Sequence, residues 1–318
     1  MRLISSSTKP EVILSSFAGL TTNDFNRIRL TERELMLYSL KRDIKMETIE
    51  DYKNTDIVIV NTCSVTNESD RKSRKVIHQA KRRNPDAIIV VMGCYSQVKP
   101  EEIDADIVIG NKDKSLIIEY IEEYLEKRNK IKKIYNLRED KYFEPMIIDN
   151  FDNHTRAFVK IQDGCNAFCS YCIIPYTRGS IRSKKISDVI NEVTNLVNNG
   201  YKEIVLTGIH TGKYGIDLNT NLENLLRELI KIKNLYRLRL SSIEINEITP
   251  GIMDLIKTSP KIASHFHIPL QSGSDKILKN MNRKYDLDYF KKRIKEIKSL
   301  RNDISITTDL IVGFPGET

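Results

Sequence analysis

No apolar run in this chain is long enough to cross a bilayer. Its start, MRLISSSTKPEVILSS, lacks the sustained hydrophobic stretch of a secretory signal. The expectation is a cytoplasmic protein without a membrane partner. Neither a P-loop nor a GxGxxG turn is present, which removes the two common phosphate-cradling motifs. Exact repeats and low-complexity tracts are also absent. Cysteine is scarce, five in 318 residues, and none precedes Cys63. In a reducing compartment, clustered thiols point to a metal or to catalysis rather than to disulfides.

What is present is an ordinary globular composition, 40% hydrophobic and 30% charged, long enough for two cores. The formal charge of +8 favours a polyanionic partner, nucleic acid first. A Lys-, Ile- and Asn-rich coding bias is the plain alternative.

Short β-branched runs alternate with amphipathic stretches. DIVIVNT (56–62), AIIVVMG (87–93) and DADIVIG (104–110) read as buried strands. NESDRKSRKVIHQAKRRNP reads as a basic helix, capped at Asn67 or Ser69 and stopped before Pro85. SLIIEYIEEYLEKRNK reads as a second helix. The pattern predicts an α/β fold opening with an open parallel sheet domain. Residues from 129 are polar and irregular, and 136–155 reads as a linker. A second βα series follows, with strands RAFVKIQ, EIVLTGI, LYRLRLSS, SHFHIPL and ISITTDLIVG (304–313). Repeated βα units predict a partial barrel, left incomplete where the chain stops at GFPGET.

Three of the five cysteines, Cys165, Cys169 and Cys172, stand at C-x3-C-x2-C spacing just after the first strand of this series. Three thiolates on one loop can hold three irons of a [4Fe–4S] cluster and leave the fourth iron open. A zinc site completed by a histidine such as His154, or packed free cysteines, are the alternatives. In HFH, His265 and His267 alternate on a strand. A satisfied structural pair is the expected reading there, ahead of a metal site.

C-x3-C-x2-C with Tyr171 before its last cysteine resembles the radical S-adenosylmethionine (SAM) signature. The strings NTCSVTNESDRKSRK, MGCYSQ, DGCNAFCSYCIIPYTRGSIRSK, HIPLQSGSD and TTDLIVGFPGET resemble the methylthiotransferase branch of that superfamily over about residues 33–318. LTGIHTGKYG, LRLSSIE and MNRKY are most similar to enzymes that methylthiolate N6-threonylcarbamoyladenosine at position 37 of tRNA. Branches acting on isopentenyladenosine or on a ribosomal protein are less similar over those strings. A zinc-stabilised RNA-binding module, or an inactive fragment, remains open as a reading of another kind.

The resemblance implies a layout of 1–32 atypical, 33–135 methylthiotransferase domain, 136–155 linker and 156–318 radical SAM domain. It implies a [4Fe–4S] cluster on Cys165, Cys169 and Cys172 that binds SAM at its open iron. One electron then releases a 5′-deoxyadenosyl radical, able to take hydrogen from an unactivated C–H bond. It places Tyr171, Gly208, Ser242, Glu244, Gln271 and Asp309 around SAM. For each strand-end residue a simple hydrogen bond is the alternative, and for Gly208 relief of crowding. It makes Cys63 and Cys94 ligands of a second cluster. The family's third cysteine has no counterpart here, and a frameshifted or wrongly called start is the expected cause. The family's small RNA-binding β-barrel is missing as well. RNA contact would then rest on the basic runs RKSRK, KRR and RSKK, for each of which a solvated helix face is the commoner reading. Flavodoxin or ferredoxin is the expected reductant, and the sulfur donor is left open.

Overall fold

The structure, a computed structural model, describes residues 11–15 (backbone only), 56–64, 66–144 and 155–317. The chain divides into two compact units. One runs to Asp140 and includes Tyr176–Arg178, and the other takes the remaining described residues. Of the expected linker, residues 136–144 carry a turn but no helix or strand, and 145–154 lie outside the described residues.

The first unit is a five-stranded sheet of β1 (Glu11–Ser15), β2 (Ile57–Thr62), β3 (Ile88–Gly93), β4 (Ile107–Ile109) and β5 (Ile131–Lys133), in that order. Strands β2 to β5 are parallel, and β1 is antiparallel to β2. The continuous apolar runs follow from burial on both faces. Ile57, Ile59, Val90, Met92, Ile107 and Ile109 pack on one side with α3 (Ile117–Lys127). Val58, Val60, Ile89, Val91 and Val108 pack on the other with α1 (Asn67–Arg83). Between them α2 (Cys94–Val98) starts directly at the end of β3.

Helix α1 is capped one residue before the expected positions. Thr66 has extended backbone, and its hydroxyl accepts the Ser69 N–H at 3.1 Å. Glu68 and Asp70 in the first turn and Lys81, Arg82 and Arg83 in the last complement the helix dipole.

The second unit alternates strands and helices: β6 (Arg156–Asp163), α4 (Ile174–Arg178, whose last three residues group with the first unit), β7 (Arg182–Ser183), α5 (Ile186–Asn198), β8 (Glu203–Gly208), α6 (Leu222–Leu229), β9 (Arg237–Leu240), α7 (Pro250–Thr258), β10 (His265–His267), α8 (Asp275–Asn280), α9 (Leu287–Lys298) and β11 (Ser305–Thr307). Strands β6, β8 and β9 are parallel, with the short β7 antiparallel at the edge of β6. Strands β10 and β11 form a separate parallel pair, reached from β9 by the bridge Leu238↔Ile262. This is a partial (βα) barrel.

Two expectations are corrected here. The strand expected over 304–313 is regular only from Ser305 to Thr307. The Thr308 hydroxyl accepts the Leu270 N–H at 2.8 Å, taking a ladder position with a side chain, and one bridge, Gln271↔Leu310, follows. The run RSKK is not a surface patch. Arg182 and Lys184 are buried, Arg182 beside Asp163 at 3.8 Å and Lys184 in an ion pair with the buried Glu192. Of that run only Lys185 is exposed.

Breaking such a pair strands a buried charge. Lys184→Met is expected to cost about 3–5 kcal/mol in urea unfolding, and the double change with Glu192→Leu to recover most of it. A single-variant loss under about 1 kcal/mol, the range of a surface pair, contradicts this.

Asp104 gives a smaller effect at the surface. Hydrogen bonds from Lys130 at 2.8 Å and Lys81 at 2.5 Å push its carboxyl down to about 2. A depressed carboxylate stabilises the fold above the ordinary value of 3.8, and that contribution fades as pH falls through about 2. NMR titration is expected to show the Asp104 midpoint near 2 in the native chain. In Lys130→Ala it is expected to move upward.

Candidate functional site

The cysteine loop leaves the C-terminal end of β6 and has no helix or strand of its own before Ile174. Specific bonds hold it instead. Gly164 has φ +74°, and a Cβ there would lie 1.8 Å from the Ser180 carbonyl oxygen, so only glycine fits. The Cys165 N–H donates to the Gly179 carbonyl at 2.9 Å, and the Cys172 N–H to the Cys169 carbonyl at 2.9 Å. The rest of the support comes from the segment after α8. Ser170 donates its N–H to the Met281 carbonyl (3.2 Å) and its hydroxyl to the Asn280 carbonyl (2.8 Å). The Asn282 amide donates to the carbonyls of Ala167 (3.2 Å) and Phe168 (3.0 Å).

Arg283, next in that segment, is a buried cation. Its Nη1 lies 3.0 Å from Glu244 Oε1 and donates to Cys169 Sγ at 3.5 Å. Its Nε donates to the Tyr285 hydroxyl at 3.1 Å, and that hydroxyl sits 2.9 Å and 3.0 Å from the Pro269 and Leu270 carbonyls. Among the described residues, Nη2 is buried with no hydrogen-bond partner. An unmet buried donor costs about 1–3 kcal/mol, which is tolerated where a ligand completes it.

On the other side of the loop, Cys165 Sγ lies 3.2 Å from His210 Nδ1. His210 is fixed by its backbone N–H donating to Gln162 Oε1 at 2.7 Å and by Glu247 Oε1 2.7 Å from Nε2. Burial alone would lower its pKa, but the contacts with Cys165 and Glu247 outweigh that and push it up to about 10. Burial, with the neighbouring Cys169 and Cys165, raises the Cys172 thiol. Burial also raises Tyr171, although the ring keeps 39% of its surface exposed.

The expected SAM residues divide into groups. Glu244 joins the cysteine loop through Arg283. Gly208 sits where a Cβ would come 3.1 Å from the Gln162 side chain, the same side chain that anchors His210. Ser242 and Asp309 meet through His267, whose Nδ1 is 2.6 Å from Ser242 Oγ and whose Nε2 is 3.4 Å from Asp309 Oδ1. Gln271, at φ +73°, reaches Asp309 only through its backbone N–H, 2.9 Å from that carbonyl. His265 instead pairs with the Thr307 hydroxyl at 2.9 Å, so the two histidines have separate partners. His210, Glu247, His267, Asn282, Arg283 and Tyr285 were not anticipated as site residues. The sequence signals are LTGIHTGKYG for His210, HFH for His267 and MNRKY for Asn282, Arg283 and Tyr285, and none of them says what its side chains touch.

The donor set fits a cluster. Each loop thiolate of a [4Fe–4S] cluster binds a different iron, so the sulfurs need not meet at one point, as zinc ligands must. Among the described residues no three His, Cys, Asp or Glu side chains converge as a single-ion site. His154, the candidate fourth zinc ligand, lies outside the described residues.

In the first unit, Cys63, Cys94 and Asn111 follow β2, β3 and β4 at the C-terminal ends of adjacent parallel strands. Burial opposes ionisation of Cys94. Arg178, Lys114 and the Asn111 amide, which donates to Sγ at 3.4 Å, outweigh it and hold the thiol below its ordinary value. A thiolate is the metal-binding form. Any further ligand before residue 56 lies outside the described residues.

Residues 159–318 match the radical SAM superfamily, and residues 27–110 match the uncharacterized protein family UPF0004. The chain belongs to the radical SAM superfamily, in its methylthiotransferase family. It is 44% identical over 288 residues to the threonylcarbamoyladenosine tRNA methylthiotransferase MtaB of Bacillus subtilis, covering 89% of this chain and 64% of that protein. It is 37% identical to a tRNA-2-methylthio-N(6)-dimethylallyladenosine synthase of Clostridium perfringens, covering 86% of this chain and 63% of the relative. The chain therefore spans less than two thirds of the length of these curated relatives. Among solved structures, the radical SAM methyltransferase TsrM of Kitasatospora setae shares the fold, with TM-score 0.62 at 16% identity over 84% of this chain and 58% of that one.

Gly164→Ala is expected to reduce iron uptake on anaerobic reconstitution to the level of a Cys169→Ala control. Gly273→Ala, where an added Cβ meets nothing within 4 Å, is expected to retain it. Equal uptake by both glycine variants would contradict the steric argument.

Proposed function

We propose that this chain is the catalytic part of a tRNA methylthiotransferase. It adds a methylthio group to C2 of N6-threonylcarbamoyladenosine at position 37 of tRNA in the cytoplasm. The observation that carries this reading is the braced loop of Cys165, Cys169 and Cys172 at a strand end, with the Arg283–Glu244 pair against Cys169. The names of the relatives supply the nucleoside. When bound, the cluster and SAM supply one-electron chemistry that activates a C–H bond, which acid–base side chains do not offer.

The chain's own residues hold and orient. Cys165, Cys169 and Cys172 ligate the cluster. Glu244 presents a carboxylate that suits the ammonium of SAM. Ser242, His267 and Asp309 form a polar rim at three strand ends, where barrel enzymes place their ligands. Gly208 keeps the end of β8 free of side-chain bulk. Cys63 and Cys94 would hold a second cluster, and sulfur-transfer chemistry is what that group would supply when bound. Flavodoxin or ferredoxin delivers the electron. Among the described residues no helix is long and apolar enough to cross a membrane.

RNA contact rests on the exposed part of α1, where Lys75 and Arg82 are open to solvent, and no longer on the buried Arg182 and Lys184. The dimethylallyladenosine relative keeps a second nucleoside in view. Nucleoside mass spectrometry of tRNA from a deletion strain separates the two. Loss of 2-methylthio-N6-threonylcarbamoyladenosine, restored by the native gene and not by its Cys169→Ala form, is expected. Unchanged levels of that nucleoside, with loss of the dimethylallyl one, would overturn the substrate assignment.

A further inference from the structure

The segment Asn280–Arg283 lies more than a hundred residues from the cysteine loop, yet supplies five hydrogen bonds to it. Asn280 and Met281 offer carbonyls to Ser170, and Asn282 donates to the carbonyls of Ala167 and Phe168. These four contacts are neutral and fix shape. Arg283 differs, because it brings a buried full charge to a ligand sulfur. Its Nη1 is shared between Cys169 Sγ at 3.5 Å and Glu244 Oε1 at 3.0 Å, and its side chain is only 4% exposed.

We propose that Arg283 is a positioning residue that couples the Cys169 cluster ligand to Glu244 and raises the reduction potential of the loop cluster. The inference rests on the loop holding a cluster, and not on which nucleoside is modified. The physical reasons are two. Net charge and hydrogen bonds to the ligand sulfurs set cluster potentials, and partners beyond the ligands orient them. A cation donating to the Cys169 sulfur favours the reduced cluster, which carries one more negative charge. Glu244, on the same guanidinium, acts with the opposite sign. Tyr285 holds the guanidinium plane from the Nε side, so the fork is fixed before any ligand arrives. A lysine could keep the charge at this place but not the fork.

The test uses the full chain, reconstituted anaerobically, with iron content measured first. If the native chain takes up no iron, the cluster reading itself fails and this inference falls with it. With iron bound, potentiometric titration followed by EPR is expected to place Arg283→Gln at a more negative potential than the native chain. Arg283→Lys is expected to lie between them. Glu244→Gln leaves the cation and removes its counter-charge, so its potential is expected to move the other way, upward. A brace that served shape alone would not give shifts of opposite sign. Should Arg283→Gln bind too little iron to titrate, Glu244→Gln decides alone, and an unmoved or lowered potential overturns the assignment. Equal potentials for the native chain, Arg283→Gln and Arg283→Lys overturn it as well.

Discussion

Everything in this molecule depends on holding a stretch of irregular chain still. From Gly164 to Ile173 there is no ladder and no helical turn to fix three thiols in relation to one another. The loop is fixed by its two ends and by one distant segment. At the ends, Gly164 packs against the Ser180 carbonyl with no room for a side chain, and Cys165 donates to Gly179. From the distance come Asn280, Met281 and Asn282. The βα architecture makes this possible. Parallel strands deliver the loop and the residues after β9, β10 and β11 to one end of the sheet, so polar groups far apart in sequence gather there.

The same logic operates in the first unit. Its strands are buried on both faces, so they offer chemistry only at their ends. Cys63, Cys94 and Asn111 are the residues that follow three such strands. Their setting differs from that of the loop. Cys94 is buried among Arg178, Lys114 and Asn111, which favour its thiolate, whereas burial, with two other thiols nearby, raises the Cys172 thiol. The N-terminal thiol is prepared by its surroundings.

Much of this was legible in the sequence, for identifiable reasons. Doubly buried strands are unbroken apolar runs, so β2, β3 and β8 stand out, and three cysteines within eight positions need no structure to be noticed. The parts that were not legible depend on contacts across the fold. Arg182 and Lys184 look like a basic patch until α5 supplies Glu192. ISITTDLIVG reads as one strand because a threonine hydroxyl standing in for a ladder carbonyl leaves no trace in a hydrophobic pattern. Asn282 and Arg283 sit in a polar string after a short helix. Their partners lie about 114 positions upstream, a separation no local pattern encodes. The Thr66 cap was missed by a single residue, because three adjacent polar residues all suit that position.

The central claim is that Cys165, Cys169 and Cys172 form a complete ligand set that leaves one iron open to SAM. The direct measurement is EPR of the reduced loop cluster in a chain carrying Cys63→Ser and Cys94→Ser, recorded with and without SAM. About four irons per chain and a spectrum that changes when SAM is added are expected. A colourless zinc-loaded chain, or a cluster whose spectrum SAM leaves unchanged, would contradict it.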